Sequence, residues 1–159
     1  MNKQEFTRRV LALEGRLYRI SYGLLREEQD RMDAVQESVL KAWKHLPGLR
    51  SEVYFETWLT RILIRECYNI LNSRKRFVPM DELPEPIQPL PGANAQLHDA
   101  VMALERSLRL PVILYYMEGY KLREVGEILN LPEGTVKTRL KRAKAILKRM
   151  LMDPEVDQI

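Results

Sequence analysis

The sequence predicts an all-α chain of two small helical domains joined by a proline-rich linker, with a helix-turn-helix in the second domain. Three observations lead there. Apolar residues recur at intervals of three and four along most of the chain, the period of one helix face. No stretch sustains the alternation of apolar and polar residues that marks a half-buried strand. Five of the nine prolines fall between residues 79 and 91, where they break any helix or interior strand. With 159 residues, 45% of them hydrophobic, the chain can bury a core as one ordinary domain or two small ones, which excludes global disorder.

Phe6, Val10, Leu13, Leu17, Ile20 and Leu24 lie on one face of a long first helix. Asp30 begins a second helix with Val35, Val39, Trp43 and Leu46 turned inward, stopped by Pro47-Gly48. A third helix runs from Phe55 to Arg76, with Trp58, Leu59, Ile62, Leu63, Tyr68, Ile70 and Leu71 on its apolar side. Together they make a first domain, residues 1–76. Residues 77–96 differ in kind: besides the prolines they carry Asp81, Glu82 and Glu85, and read as an extended linker. Helical patterning returns at Leu97 and continues through Val101, Leu104 and Leu108 to a break near Pro111. The second domain spans residues 97–152, and an acidic tail, 153–159, closes the chain as a frayed end.

Residues 120–149 read as a short helix, a tight turn and a basic helix. Leu122, Val125, Ile128 and Leu129 mark the buried face of the first. Asn130 suits the left-handed conformation at which helices stop. Pro132 fits a first helical turn, and Glu133 suits the positive end of the helix dipole. Val136, Leu140, Ala143 and Leu147 cluster on one side of the second helix, while Lys137, Thr138, Lys141, Arg142, Lys148 and Arg149 spread over the other. No acidic residue occurs from Gly134 to Leu151. A buried stripe opposite an unneutralised basic face, presented by a short turn, suits the major groove of DNA.

The net charge is only +4, but no Lys or Arg occurs between Arg76 and Arg106, so the basic charge forms two blocks. The first lies on the third helix. Tyr54, Phe55 and Trp58 crowd its start, and Arg61, Arg65, Arg74, Lys75 and Arg76 follow, with Glu66 the one acid among them. Rings beside a cationic track are what single-stranded nucleic acid requires; Trp58 taken alone fits core packing better, while Tyr54 and Arg65 are the better candidates for exposure. On the second helix Asp30, Asp33, Gln36 and Glu37 form an acidic, amide-bearing face, which suits a protein partner or solvent and repels DNA. The single cysteine, Cys67, excludes an internal disulfide and fits a buried, inert thiol. No secretory signal and no run of about 18 uncharged apolar residues is present, so the expectation is a cytoplasmic protein with no membrane insertion. His45 and His98 are isolated, and no carboxylate cluster, phosphate loop or metal-ligand spacing occurs, so neither an enzyme nor a metal, cofactor or small-molecule substrate is expected.

With these residues in view, the chain resembles the extracytoplasmic-function (ECF) group of bacterial RNA polymerase sigma factors, from about residue 5 to residue 151. DRMDAVQESVLKAWKHL resembles that family's polymerase-binding helix, FETWLTRI its entry into the promoter-melting segment, and VILYYMEGYKLREVGEILNLPEGTVKTRLKRAKAIL its C-terminal helix-turn-helix. The resemblance implies that Asp33, Gln36 and Glu37 dock on the clamp of core RNA polymerase. It implies that the segment from Tyr54 through Asn69, with Trp58, Arg61 and Arg65, melts and reads the −10 promoter element, and that Lys137, Thr138, Lys141 and Arg142 meet the −35 element. The linker is implied to thread near the RNA exit path, and an anti-sigma factor is implied as a further partner. Two positions depart from the family pattern. Arg65 stands where Asn is usual, and Glu105 stands where a proline commonly precedes the last helices, which predicts a longer helix there. The competing reading is a helix-turn-helix repressor or activator without polymerase binding, for which the acidic second helix and the basic, aromatic third helix have no use.

Overall fold

The computed structural model describes residues 1–74 and 94–152, the side chain of Arg74 excepted. The chain divides into two compact units, Met1–Ile87 and Gln88–Ile159. The described residues form seven α-helices and no strand. Most of the expected linker and the whole acidic tail lie outside the described residues.

In the first unit α1 spans Lys3–Tyr22, α2 Glu28–Lys44 and α3 Phe55–Arg74. Asn2 caps α1, its side-chain oxygen accepting from the Glu5 N–H at 2.8 Å. Phe6, Leu17, Ile20, Leu24 and Leu25 meet Ala34, Val35 and Ala42 of α2 and Phe55, Leu59, Leu63 and Cys67 of α3 in one core. The last four recur every fourth residue, so α3 lays one stripe against the other two helices. Cys67 is fully buried, and that burial pushes its thiol up to about 12. Arg31 is buried too: it donates to the carbonyls of Leu25 and Arg26, at 3.1 and 2.7 Å, and its guanidinium lies 4.0 Å from the Tyr22 ring centroid. It thereby satisfies carbonyls in the turn between α1 and α2, which have no helical partner. Trp43 departs from the inward placement expected of it. Its ring packs on Phe6, with centroids 5.1 Å apart, yet 43% of the residue stays exposed.

In the second unit α4 spans Ala95–Ala103, α5 Arg106–Val112, α6 Leu122–Leu129 and α7 Glu133–Met152. Asn94 caps α4 by accepting from the Gln96 and Leu97 N–H groups, so the helix takes in residues that the sequence reading gave to the linker. The longer helix expected around Glu105 does not form. Leu104 is extended (φ −67°, ψ 147°), and Arg109 covers its carbonyl from 2.9 Å. Both Leu104 and Leu108 are buried, and a break between α4 and α5 lets each reach the core. The expected break at Pro111 is also absent. Pro111 sits buried inside α5, and the bond it removes belongs to Ser107, an exposed residue. A π-helical turn, Ile113–Met117, follows and closes with the Glu118 N–H on the Ile113 carbonyl at 2.9 Å. Gly119 takes φ 78°, a conformation that favours glycine, and turns the chain into α6.

Asn130 adopts the left-handed conformation (φ 56°, ψ 49°) after α6, as its place in the sequence predicts. The backbones then come close. A Cβ on Gly126 would stand 2.7 Å from the Leu131 carbonyl oxygen. Only a residue without a side chain allows the turn to fold back against α6. Gly126→Ala is therefore expected to destabilise the second unit by about 1–3 kcal/mol, the usual cost of overpacking, read as a lower urea midpoint of that unit.

Candidate protein and nucleic-acid interfaces

The acidic face of α2 is narrower than its sequence suggests. Asp33, Gln36 and Glu37 are exposed on adjacent turns, and the Gln29 amide donates to Asp33 at 2.8 Å. Asp30 is buried and leaves that face. Beside it runs a groove of about 450 Å³ between α1 and α2, floored by Leu17 and Val35 and flanked by Leu11 and Leu40. These two leucines are 63% and 64% exposed. Sequence reasoning missed the groove, because both leucines fall outside the core stripes of their helices. A lone leucine on the polar side of each of two neighbouring helices was the available signal.

The second surface starts at a short 3-10 turn, Glu52–Tyr54, which presents Val53, 85% exposed, and Tyr54, 45% exposed. Tyr54, Trp58, Arg61, Arg65 and Asn69 then follow at steps of four, three, four and four, so they form one row along the start and middle of α3. Tyr54, Arg61, Arg65 and Asn69 are exposed. Trp58 is half-buried with its ring 6.1 Å from that of Phe55, so it packs on the core while keeping an open edge. Glu66, the acid within this basic stretch, is buried and accepts from the Lys41 ammonium at 2.5 Å. That hydrogen bond raises the lysine above its ordinary value. Glu56 at the helix start pairs with Arg16 of α1. Both carboxylates are thus committed elsewhere, and Arg61 and Arg65 stay exposed. Lys75 and Arg76 of the expected track lie outside the described residues.

On α7 the buried positions are Val136, Leu140 and Ala143, with Leu147 half-buried, as its periodicity predicts. Lys137, Thr138, Lys141, Arg142, Lys148 and Arg149 are all exposed. The Thr138 hydroxyl donates to the Gly134 carbonyl at 3.0 Å. Its proton being spent on the helix, the side chain offers a partner a lone pair and a methyl group. Opposite α7, α6 is held at its start by Glu124, whose carboxylate accepts from the Lys121 N–H at 2.9 Å. Two helices joined by a left-handed residue, the second basic along its outer side, form a helix-turn-helix. No helix among the described residues is long and apolar enough to cross a membrane.

Residues 10–77 match the family described as Sigma-70 region 2, and residues 94–147 match Sigma-70, region 4. The chain is 31% identical over 140 residues to RNA polymerase sigma factor SigV of Bacillus subtilis, covering 84% of this chain and 83% of that one. It is 30% identical to the ECF RNA polymerase sigma factor SigW of the same organism, over 87% of this chain and 84% of the other. Among solved structures the fold is similar to that of the sigma factor RpoE of Bartonella quintana, in complex with the anti-sigma factor NepR. The TM-score is 0.80 at 23% identity, covering 94% of this chain and 98% of that one. CnrH, solved with the cytosolic domain of CnrY, gives 0.74 at 21% identity, with coverage of 94% and 89%. Two sigma regions in family order, each ending in the basic surface just described, place this chain in the ECF group of bacterial RNA polymerase sigma factors, which direct the polymerase to its promoters.

Proposed function

We propose that three surfaces of this sigma factor divide its work, residue by residue. Asp33, Gln36 and Glu37 of α2 engage a basic helix on the clamp of core RNA polymerase. The row Tyr54–Trp58–Arg61–Arg65–Asn69 captures the melted −10 strand, bases stacking on the rings and phosphates following the guanidinium groups. Lys137, Thr138, Lys141 and Arg142 enter the major groove of the −35 element. The unit of residues 1–76 thus carries polymerase binding and melting, the unit of residues 97–152 carries duplex recognition, and residues 77–96 tether the two near the RNA exit path. The protein acts in the cytoplasm as a binding subunit, with no catalysis, metal or cofactor of its own. An anti-sigma factor is the further partner, and the groove between Leu11 and Leu40 suits an apolar helix from it. One observation carries the reading. The two carboxylates of α3, Glu66 and Glu56, are drawn away by Lys41 and Arg16, which leaves along that helix a single-strand surface that a repressor or activator would not need.

Purified chain added to core polymerase is expected to start transcription at a defined set of genomic promoters. The double substitution Asp33→Lys, Glu37→Lys reverses an exposed face without touching the core. Like-charge contact at an interface costs several kcal/mol, so this variant is expected to keep its helical content and thermal transition while losing co-purification with core polymerase. Normal retention would show that the polymerase binds elsewhere.

Lys141 and Arg142 separate base reading from anchoring. Lys141 lies mid-helix on the outer side, and Lys141→Ala is expected to cost about 1–3 kcal/mol and to relax preference at one or two −35 base pairs. Arg142→Ala is expected to weaken all promoters alike and to flatten the salt dependence, as loss of a phosphate contact does. Ranking a promoter panel with each variant checks both, and an unchanged ranking with Lys141→Ala contradicts its assignment to a base.

A further inference from the structure

Arg9 of α1 stands 43 residues from Glu52 in sequence, yet it reaches the turn that presents Tyr54. Its Nη1 donates to the Glu52 carbonyl oxygen at 2.9 Å and its Nη2 to the Glu52 carboxylate at 3.5 Å. Its Nε donates to Glu5 at 3.0 Å, and its guanidinium lies 5.9 Å from the Phe55 ring centroid. Arg8 holds Glu5 from the other side, at 2.6 and 3.1 Å. The two arginines, Arg8 above all, lower the Glu5 carboxyl to about 2, so it stays ionised across the working pH range. The Met1 nitrogen stands 3.2 Å from the second Glu52 oxygen. The turn's other bonds are local. Ser51 accepts from the Val53 N–H at 3.4 Å and from the Tyr54 N–H, through its carbonyl, at 3.0 Å, and the side chains of Val53 and Tyr54 point outward.

We infer that Arg9 is a positioning residue for −10 recognition: its guanidinium, braced by Glu5, fixes the backbone at Glu52 and so sets where Val53 and Tyr54 meet an unstacked base. This rests on the proposed role of the Tyr54 row. A planar fork suits the task, because it grips a carbonyl and two carboxylates at once, which a lysine ammonium cannot do in one geometry. The tip has further bonds of its own, the Phe55 N–H on the Glu52 carbonyl and the Thr57 hydroxyl on the Tyr54 carbonyl at 3.1 Å, but Arg9 is the α1 side chain that grips it, and removal of that clamp loosens its placement without opening the core.

The test uses the full chain with core polymerase, in wild-type form and as Arg9→Ala and Arg9→Lys. Each is assayed on a promoter, on the same promoter with single −10 base changes, and with single −35 changes. Arg9→Ala is expected to reduce discrimination among −10 bases by about tenfold, the scale of one misread base, with −35 discrimination and retention on core polymerase unchanged. Arg9→Lys is expected to restore part of the −10 discrimination. Activity that falls equally on all templates, with −10 preferences intact, would assign Arg9 to stability alone and overturn the inference. Unaltered −10 discrimination and activity would overturn it too. Wild-type chain that transcribes without any −10 preference would overturn the reading of the Tyr54 row itself, and the inference with it.

Discussion

Burial of one side of each long helix is the constraint on which the rest of this structure depends. α2, α3 and α7 have few residues to spare for a core, so each commits a stripe at spacings of three and four to packing and leaves its opposite side for contact with something else. Because the helix period is rigid, fixing Val136, Leu140 and Ala143 inside forces Lys137, Thr138, Lys141 and Arg142 outward. Fixing Phe55, Leu59, Leu63 and Cys67 inside does the same for Arg61, Arg65 and Asn69. A surface set by the register of a packed helix is preorganised, which helps a protein that must hold a melted strand.

That same periodicity explains what was legible in the sequence. The all-α class, the helices of the first unit and the exposed faces of α2, α3 and α7 follow from it, since each is a local property of one helix, and the turn at Asn130 follows from that residue's tolerance of the left-handed conformation. What was not legible depends on partners distant in sequence. Asp30 and Glu66 look like surface acids in a one-dimensional pattern and are buried. Trp43 looks like core and rests on Phe6 with much of its ring in solvent. The break at Leu104 carries no proline to announce it, because an Arg109 side chain takes the open carbonyl. Pro111, which ordinarily ends a helix, is kept inside one where the lost bond falls on an exposed residue.

Charge is then arranged by pairing rather than by composition. A net charge of +4 would not by itself mark a nucleic-acid binder. The decisive feature is where the acids go. Glu66 and Glu56 are drawn off the α3 row by Lys41 and Arg16, while Asp33 and Glu37 remain open on α2. Fields of exposed charges fade over about 8–10 Å at physiological ionic strength, so an acidic and a basic face can share one small unit without cancelling. Lys41 belongs to both arrangements, since it lies on α2 and satisfies a buried carboxylate of α3. Burying Glu66 alone would be costly, and the lysine makes it tolerable.

Arg65 shows how this arrangement shifts the chemistry of a family position. A carboxamide there offers both a donor and an acceptor, which suits the edge of a base. A guanidinium offers donors only and a permanent charge, which suits a phosphate. Under the proposed assignment, base reading along α3 passes to the groups on either side of Arg65. Asn69 supplies the amide one turn further on, and Tyr54 supplies a ring at the head of the row. Since phosphate contacts position and base contacts specify, Arg65 is proposed to set how firmly the strand is held, and the exposed tip at Val53 and Tyr54 to carry more of the choice of sequence. On that proposal the placement of the tip by α1 weighs on promoter choice, although α1 itself holds no residue assigned to DNA.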